Sequence, residues 1–355
     1  MKLDEIRDKL NRMDDELMRL LAGRMELALR TTRLKGVVLD AQREEAVIAK
    51  VKKSSMGLVS PELAEKIFTE LMAESKLLQQ QGLKLAAFQG EHGAYSEMAV
   101  GQLDKSWVPI VCREFSEVFD GVKAGHFDFG VVPVENSLEG AVTQVNDLLL
   151  ESDLSIVAET HVPVQHCLLC LPDTDYREIK AVYSHPQALA QCRAFIERNK
   201  LEARPYYDTA GAAMMIAAER PRACAAIASK LCASIYGLEV LKEKIVDHPS
   251  NSTRFVALSR ERSQEKGNKC SIAFSTTHKA GSLFEVLKVF SDAAINLTRI
   301  ESRPIRTEPK KYAFFLDLQG SGEDGRVADA LEKVKSQVAM YKFLGCYKEA
   351  AQVAE

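Results

Sequence analysis

Long apolar runs are absent from this chain. No segment approaches about 20 uncharged apolar residues, the length that crosses a bilayer as a helix, so no membrane partner is expected. The opening MKLDEIRDKLNRMDDE is charged throughout and holds no apolar signal-peptide core, so a cytoplasmic protein is expected. Strong charge bias is absent too: the formal net charge is −3, which gives no electrostatic reason to expect nucleic acid. Cysteine is sparse, with eight scattered residues in mostly apolar surroundings, as suits reduced core thiols. HCLLC holds a lone CxxC, Cys167 and Cys170, inside a strand-like run. Without a second pair or ligand-spaced histidines it reads as structural rather than as a zinc site. No His/Asp/Glu set has ligand spacing either, so no metal is expected.

What is present divides into three zones. With 355 residues, two or three domains are expected. Residues 1–81 carry no strand pattern and are rich in Leu, Glu, Lys, Arg and Met; Gly82 reads as a stop after a helix. Over 83–260 strands and helices alternate, which argues α/β layers. SRERSQEKGNK is a charged linker. Residues 269–350 then read β-α-β-β-α, suiting a small α+β ferredoxin-like sandwich.

In the first zone Ile6, Leu10, Met13, Leu17 and Leu20 follow a 4, 3, 4, 3 spacing, a coiled-coil-like seam. Leu27 continues it, but Arg24 interrupts it. A charge on an apolar seam needs a partner or a ligand. Lys35 lies eleven residues on, about 20° around the same helix, so both can face one pocket. Arg7 lies about 100° away and suits a neighbouring molecule instead. A helix over residues 3–36 is about 50 Å long, and about 80 residues cannot close a core around three such helices, so dimerisation is expected. The second helix begins near Asp40 and puts Asp40, Arg43 and Glu44 on one face. The third begins at Ser60-Pro61-Glu62 and closes an apolar stripe with Ser75 and Gln79. The bland reading is a solvated helical bundle.

With IR, LLAGRMELA, DAQRE and ESKLLQQ in place, the zone resembles the all-helical chorismate mutases. The resemblance implies a pocket lined by Arg24, Lys35, Asp40, Arg43, Glu44, Ser75 and Gln79, with Arg7 from a partner chain. Arginines would hold the two carboxylates of chorismate. Lys35, with Gln79 or Glu44, would stabilise charge on the breaking ether oxygen.

The middle zone repeatedly ends strands on polar residues. GEHGAYSE offers amides to an anion. VVPVENSLEG ends a buried strand on Glu135 and Asn136. VYSHPQA places Ser184, His185 and Gln187 at a helix start. NSTRFVAL puts Thr253 and Arg254 at the head of a strand. Each has an ordinary reading as cap or turn. Together they resemble the prephenate dehydratase family, which implies two α/β lobes, like those of periplasmic binding proteins, around a cleft. That resemblance makes Thr253 the acid or proton relay, with Glu135, Asn136, Ser184, Gln187 and Thr209 orienting prephenate. Arg254 would pair a carboxylate or brace its loop.

The last zone resembles ACT domains of phenylalanine-regulated enzymes through HKAGSLFEVL and NLTRIESRPI. That implies a phenylalanine site on Ala280, Gly281, Ser282, Leu283, Asn296, Glu301, Ser302, Arg303 and Pro304. A plain dimerisation module is the alternative. The whole chain resembles bifunctional P-proteins of phenylalanine biosynthesis: mutase, dehydratase and ACT domain, cofactor-free, a homodimer or homotetramer. Two rivals remain, a dehydratase alone and a non-catalytic aromatic-acid sensor.

Overall fold

The computed structural model describes residues 3–35, 38, 40–277, 279–305 and 311–350. The chain forms two compact units, Met1–Lys84 and Leu85–Glu355.

The first unit is three helices: α1 (Leu3–Lys35), α2 (Ala41–Ser54) and α3 (Pro61–Gln80). Asp40 caps α2 by accepting from the Arg43 amide, and Ser60 caps α3 by accepting from the Leu63 amide, with Pro61 at the first helical position. The unit buries little. Among the described residues Leu29 and Ala64 are its buried apolar residues, while Ile6, Leu10, Met13, Leu17, Leu20 and Leu27 stay exposed along α1. An uncharged seam left in water is the physical signature of a helix whose packing is unfinished within one chain.

The second unit begins with β1 (Leu85–Gln89), α4 (Tyr95–Leu103), β2 (Val108–Cys112), α5 (Phe115–Lys123), β3 (Phe129–Asn136), β4 (Gly140–Ala141), α6 (Thr143–Glu151) and β5 (Ser155–Pro163). The chain then crosses to a second lobe: β6 (Cys167–Cys170), β7 (Ala181–Ser184), α7 (Pro186–Gln191), α8 (Arg193–Arg198), β8 (Glu202–Pro205), α9 (Thr209–Glu219), β9 (Cys224–Ala228), α10 (Lys230–Tyr236) and β10 (Glu239–Lys242). It returns through β11 (Ser252–Ser259). The first sheet runs β2-β1-β3-β11-β5 with β4 beside β3, and the second runs β10-β6-β9-β7-β8. Two crossings between lobes put the ends of β3 and β11 side by side, with Asn136 opposite Thr253 and Glu135 opposite Arg254.

The remainder is β12 (Lys269–Ser275), α11 (Ser282–Asp292), β13 (Leu297–Pro304), β14 (Tyr312–Gln319), α12 (Gly325–Gln337) and β15 (Met340–Tyr347). Its antiparallel sheet is ordered β13-β14-β12-β15. The final strand β15 goes beyond the β-α-β-β-α order read from sequence and completes the ferredoxin-like fold. β15 also lies against β5 of the first lobe. A Cβ on Gly345 would stand 2.1 Å from the Ile156 carbonyl oxygen, and backbone cannot yield as a side chain does. Gly345→Ala is therefore expected to destabilise the second unit by roughly 1–3 kcal/mol, the usual cost of overpacking. The single tryptophan, Trp107, stacks on Phe129 with 3.9 Å between ring centroids and reports on this unit alone. An unchanged urea midpoint of its fluorescence in the variant would show that the strands are free to separate.

Candidate active sites

In the first unit Arg24, Lys35, Asp40, Arg43, Glu44, Ser75 and Gln79 line one cavity of about 580 Å³. Arg24 is held from α3: its Nη1 donates to Ser75 Oγ at 2.8 Å and to the Leu71 carbonyl at 3.3 Å. Ser75 in turn donates to the Leu71 carbonyl at 2.6 Å. Gln79 Nε2 donates to the Ala28 carbonyl at 2.6 Å and to Thr31 Oγ1 at 3.3 Å. Lys35 Nζ sits 2.6 Å from Asp40 Oδ2. That bond, with the Arg43 amide, holds the Asp40 carboxyl below its usual range. Arg7 is exposed, pairs with Asp4 at 3.5 Å and does not line this cavity.

Lys76 was missed by the sequence reading. It lines the same cavity and holds both oxygens of Glu44, at 3.1 and 3.0 Å. Its place three residues before Gln79 puts it on the same helix face, a spacing that could have found it.

In the second unit Asn136 is a hub. Its Nδ2 donates to Thr253 Oγ1 at 3.0 Å, to Asn251 Oδ1 at 2.8 Å and to the Ser252 carbonyl at 3.2 Å. Its Oδ1 accepts from the amides of Leu138 and Glu139 at 3.0 and 3.1 Å. The turn after β3 is thereby fixed to the head of β11. Glu139, also missed, reaches the other lobe. Its carboxylate accepts from Gln187 Nε2 and, at 2.9 Å, from Gln191 Nε2. Thr209 opens α9, half-buried, beside the Asp208 cap. Burial raises the Asp208 carboxyl pKa although the Gly211, Ala210 and Thr209 amides oppose it.

Two expectations change here, and a third is narrowed. Ser184 is fully buried, and its hydroxyl donates to the Ile227 carbonyl at 2.5 Å, so it supports the sheet and does not face the cleft. Arg254 is also buried, because strand alternation turns it away from Thr253. Its guanidinium binds Glu159 at 2.7 Å, Asp317 at 2.5 Å and the Tyr347 hydroxyl at 3.0 Å, so of its two expected roles these contacts favour bracing over pairing a substrate carboxylate. The Gly93 amide, read as an anion donor, is taken by Glu97 Oε2 at 2.5 Å. Glu135 follows Arg254 to the same side: its Oε2 lies 3.9 Å from Arg254 Nη1 and 3.7 Å from Arg299 Nε.

In the third sheet Ala280, Gly281, Ser282 and Leu283 line a cavity of about 470 Å³ whose other walls include Lys311, Tyr312 and Phe314. Gly281 holds φ +86, a left-handed conformation that opens α11. His278, beside this loop, lies outside the described residues. β13 alternates, so its four expected wall residues split. Ser302 and Pro304 stand opposite Phe314 and Tyr312, on the cavity side. Glu301 and Arg303 share the other face, and Arg303 binds Asp147 at 2.8 and 3.1 Å. Asn296 donates to Gln319 Oε1 at 3.0 Å, away from the cavity.

The chorismate mutase type II family model matches residues 6–80, prephenate dehydratase 86–263 and the ACT domain 271–336. A protein of Escherichia coli (strain K12), named bifunctional chorismate mutase/prephenate dehydratase, is 32% identical over 96% of this chain and 95% of its own length. The chain belongs to the bifunctional chorismate mutase/prephenate dehydratase family. Among solved structures, prephenate dehydratase from Arthrobacter aurescens in complex with L-Phe is 33% identical, covers 76% of this chain and 93% of its own, and has a TM-score of 0.69. GqqA, described as a novel type of quorum quenching acylase, shares the fold at 32% identity over 76% of this chain and 98% of its own, with a TM-score of 0.70. This mutase-dehydratase therefore carries both enzyme domains and the ACT domain in order. No helix among the described residues is long and apolar enough to cross a membrane.

One buried group near the cleft gives the dehydratase part a pH dependence. His166 lies between the Tyr95 hydroxyl, 3.1 Å from Nδ1, and Gln191 Oε1, 3.1 Å from Nε2. Burial lowers its pKa from 6.5 to about 4, against the Gln191 hydrogen bond. Between those values the unfolded chain holds more protons, so stability rises with pH. The contribution is complete above pH 6.5 and is lost as pH falls toward 4, roughly 3 kcal/mol in all. Trp107 unfolding curves across this window should be steep in the parent and flatter in His166→Asn. Equal slopes would show that His166 is not the titrating group.

Proposed function

We propose that residues 1–81 convert chorismate to prephenate, that residues 83–260 convert prephenate to phenylpyruvate, and that residues 269–350 bind phenylalanine as feedback inhibitor. The observation that carries the first assignment is the convergence of Arg24, Lys35, Arg43 and Gln79 on one cavity. A dicarboxylate that rearranges internally needs its carboxylates held and the charge on its ether oxygen met. Arg24, braced by Ser75, and Arg43 are the carboxylate ligands in this reading. Lys35, with Gln79 once it exchanges its 3.3 Å bond to Thr31 for substrate, meets the ether oxygen. Glu44, tied to Lys76, forms the wall beside them.

For the dehydratase, the Asn136–Thr253 hydrogen bond carries the assignment. Prephenate must lose CO2 from one carbon and hydroxide from another. The ring gains aromaticity, and hydroxide leaves as water once protonated. Thr253 is a poor free acid, so it acts within a relay that Asn136 orients. Gln187 and Thr209 supply donors to the dianion, while the buried Asn251 accepts from Asn136 and holds it in place. Neither reaction calls for a cofactor in this reading.

The exposed α1 seam is proposed to pair with a second copy, which would bring Arg7 of that copy toward the pocket. A tetramer built from such dimers is the alternative. The buried thiols suit a reducing, cytoplasmic setting.

Purified protein given chorismate should yield prephenate and then phenylpyruvate. Arg24→Ala is expected to abolish the first step, by a hundredfold or more as an order of magnitude, and to spare turnover of added prephenate. Thr253→Ala should do the reverse. Joint loss of both activities in a folded variant would refute separate sites. For regulation, phenylalanine should inhibit prephenate turnover, and Ser302→Ala should raise the concentration needed. An identical inhibition curve would remove Ser302 from the effector site.

A further inference from the structure

We propose that Arg299, on the ACT strand β13, is a positioning residue of the prephenate dehydratase site and acts through Glu135. The proposal rests on the reading of Asn136 and Thr253 as that site.

Arg299, Glu301 and Arg303 share the face of β13 opposite to the ACT cavity. That face lies on the dehydratase domain. Arg299 Nε is 3.7 Å from Glu135 Oε2, and its Nη2 donates to Asn146 Oδ1 at 3.4 Å. Four residues on, Arg303 grips Asp147 of the same helix, α6. The Arg299 side chain is 8% exposed, against 43% for Glu135. A buried guanidinium needs an acid close by. The neighbouring acids already have cations of their own. Glu159 and Asp317 both bind Arg254, and Glu159 and Glu349 both bind Lys269. Asp317 lies across the strand pair and also feels the Arg299 charge, but Glu135, which is 3.9 Å from Arg254 as well, is the acid within ion-pair distance of Arg299 among the described residues.

Glu135 is thus drawn to the ACT side of β3, and the next residue in the same strand is Asn136. Any displacement of Glu135 is carried by one peptide bond to the amide that orients Thr253. From the ACT strand to the catalytic hydroxyl the route is Arg299, Glu135, Asn136, Thr253, each touching or bonded to the next. An effector that shifts β13 would move Arg299 with it, which makes this contact a means of slowing the dehydratase without touching its substrate.

The full-length protein is assayed with prephenate, with its own mutase activity as an internal control. Arg299→Gln is expected to lower dehydratase kcat by roughly tenfold to a hundredfold, as misplacement of a positioned group does, with KM and mutase activity nearly unchanged. Arg299→Lys keeps a charge for Glu135 and should retain most of the kcat; it also serves if the glutamine variant does not fold. The Arg299→Gln/Glu135→Gln double variant should lose no more than the worse single variant, because the two residues act as a unit. Parental kcat in Arg299→Gln overturns the proposal. So do multiplicative losses in the double variant, or an Arg299→Lys protein with parental melting and a kcat as low as that of Arg299→Gln. Undiminished prephenate turnover in Thr253→Ala removes the site reading and the proposal together. Turnover lost there but kept in Arg299→Gln removes the proposal alone.

Discussion

The second unit depends on a cluster of charges buried where the dehydratase sheet meets the ACT sheet. Arg254 leaves β11 one residue after Thr253 and ends among Glu159, Asp317 and Tyr347, contributed by β5, β14 and β15. Ser271 donates to Asp317 at 2.5 Å, and Lys269 binds Glu159 at 3.0 Å. Burial opposes the charge on Arg254, yet Asp317, Tyr347 and Glu159 outweigh it and raise its pKa. Burial likewise opposes ionisation of Asp317, and Arg254 with Arg299 reverses that, so its pKa is lowered. Such a cluster adds little net stability, because desolvation offsets attraction, but removal of one member typically costs about 3–5 kcal/mol. Its value is geometric: the charges are satisfied in one arrangement of the two sheets, and Thr253 is adjacent to it.

The mutase unit is built on the opposite plan. Its apolar seam is open to water, and its polar groups converge on a cavity without a closed core behind them. Arg24 is steered by Ser75 and the Leu71 carbonyl rather than by an acid, so its charge stays available for a carboxylate. Lys35 and Glu44 are each matched by an opposite charge. A dicarboxylate entering this cavity would compete with Asp40 for Lys35. The mutase pocket thus presents cations, whereas Asn136 and Thr253 are joined by hydrogen bonds beside the joint of two sheets.

Much of this was legible in the chain itself. The 4-3 spacing on α1, the Asp40 and Ser60 caps, the switch to alternating strands at residue 83 and the glycine at the head of α11 are local signals with local causes. So were Arg24, Ser75 and Gln79, since helix geometry converts spacing into direction. The hardest cases were side chains whose direction depends on pairing between distant strands. Ser184 and Arg254 stood in the right motifs and proved to face away from the cleft. Lys76 and Arg299 were within quoted motifs, and the same periodicities would have assigned each to a face, though not the partner that Arg299 meets.

Element type, caps, the helix-face pocket and the three-zone order follow from short-range chemistry, where neighbours in sequence are neighbours in space. The cross-lobe clasp of Glu139, the withdrawal of Arg254 into an ion cluster and the meeting of Arg299 with Glu135 do not. Each joins residues far apart in the chain, and each is settled by which face of a strand meets which sheet. A strand's alternation names two faces, but the partner that covers each face is chosen only when the sheets pack.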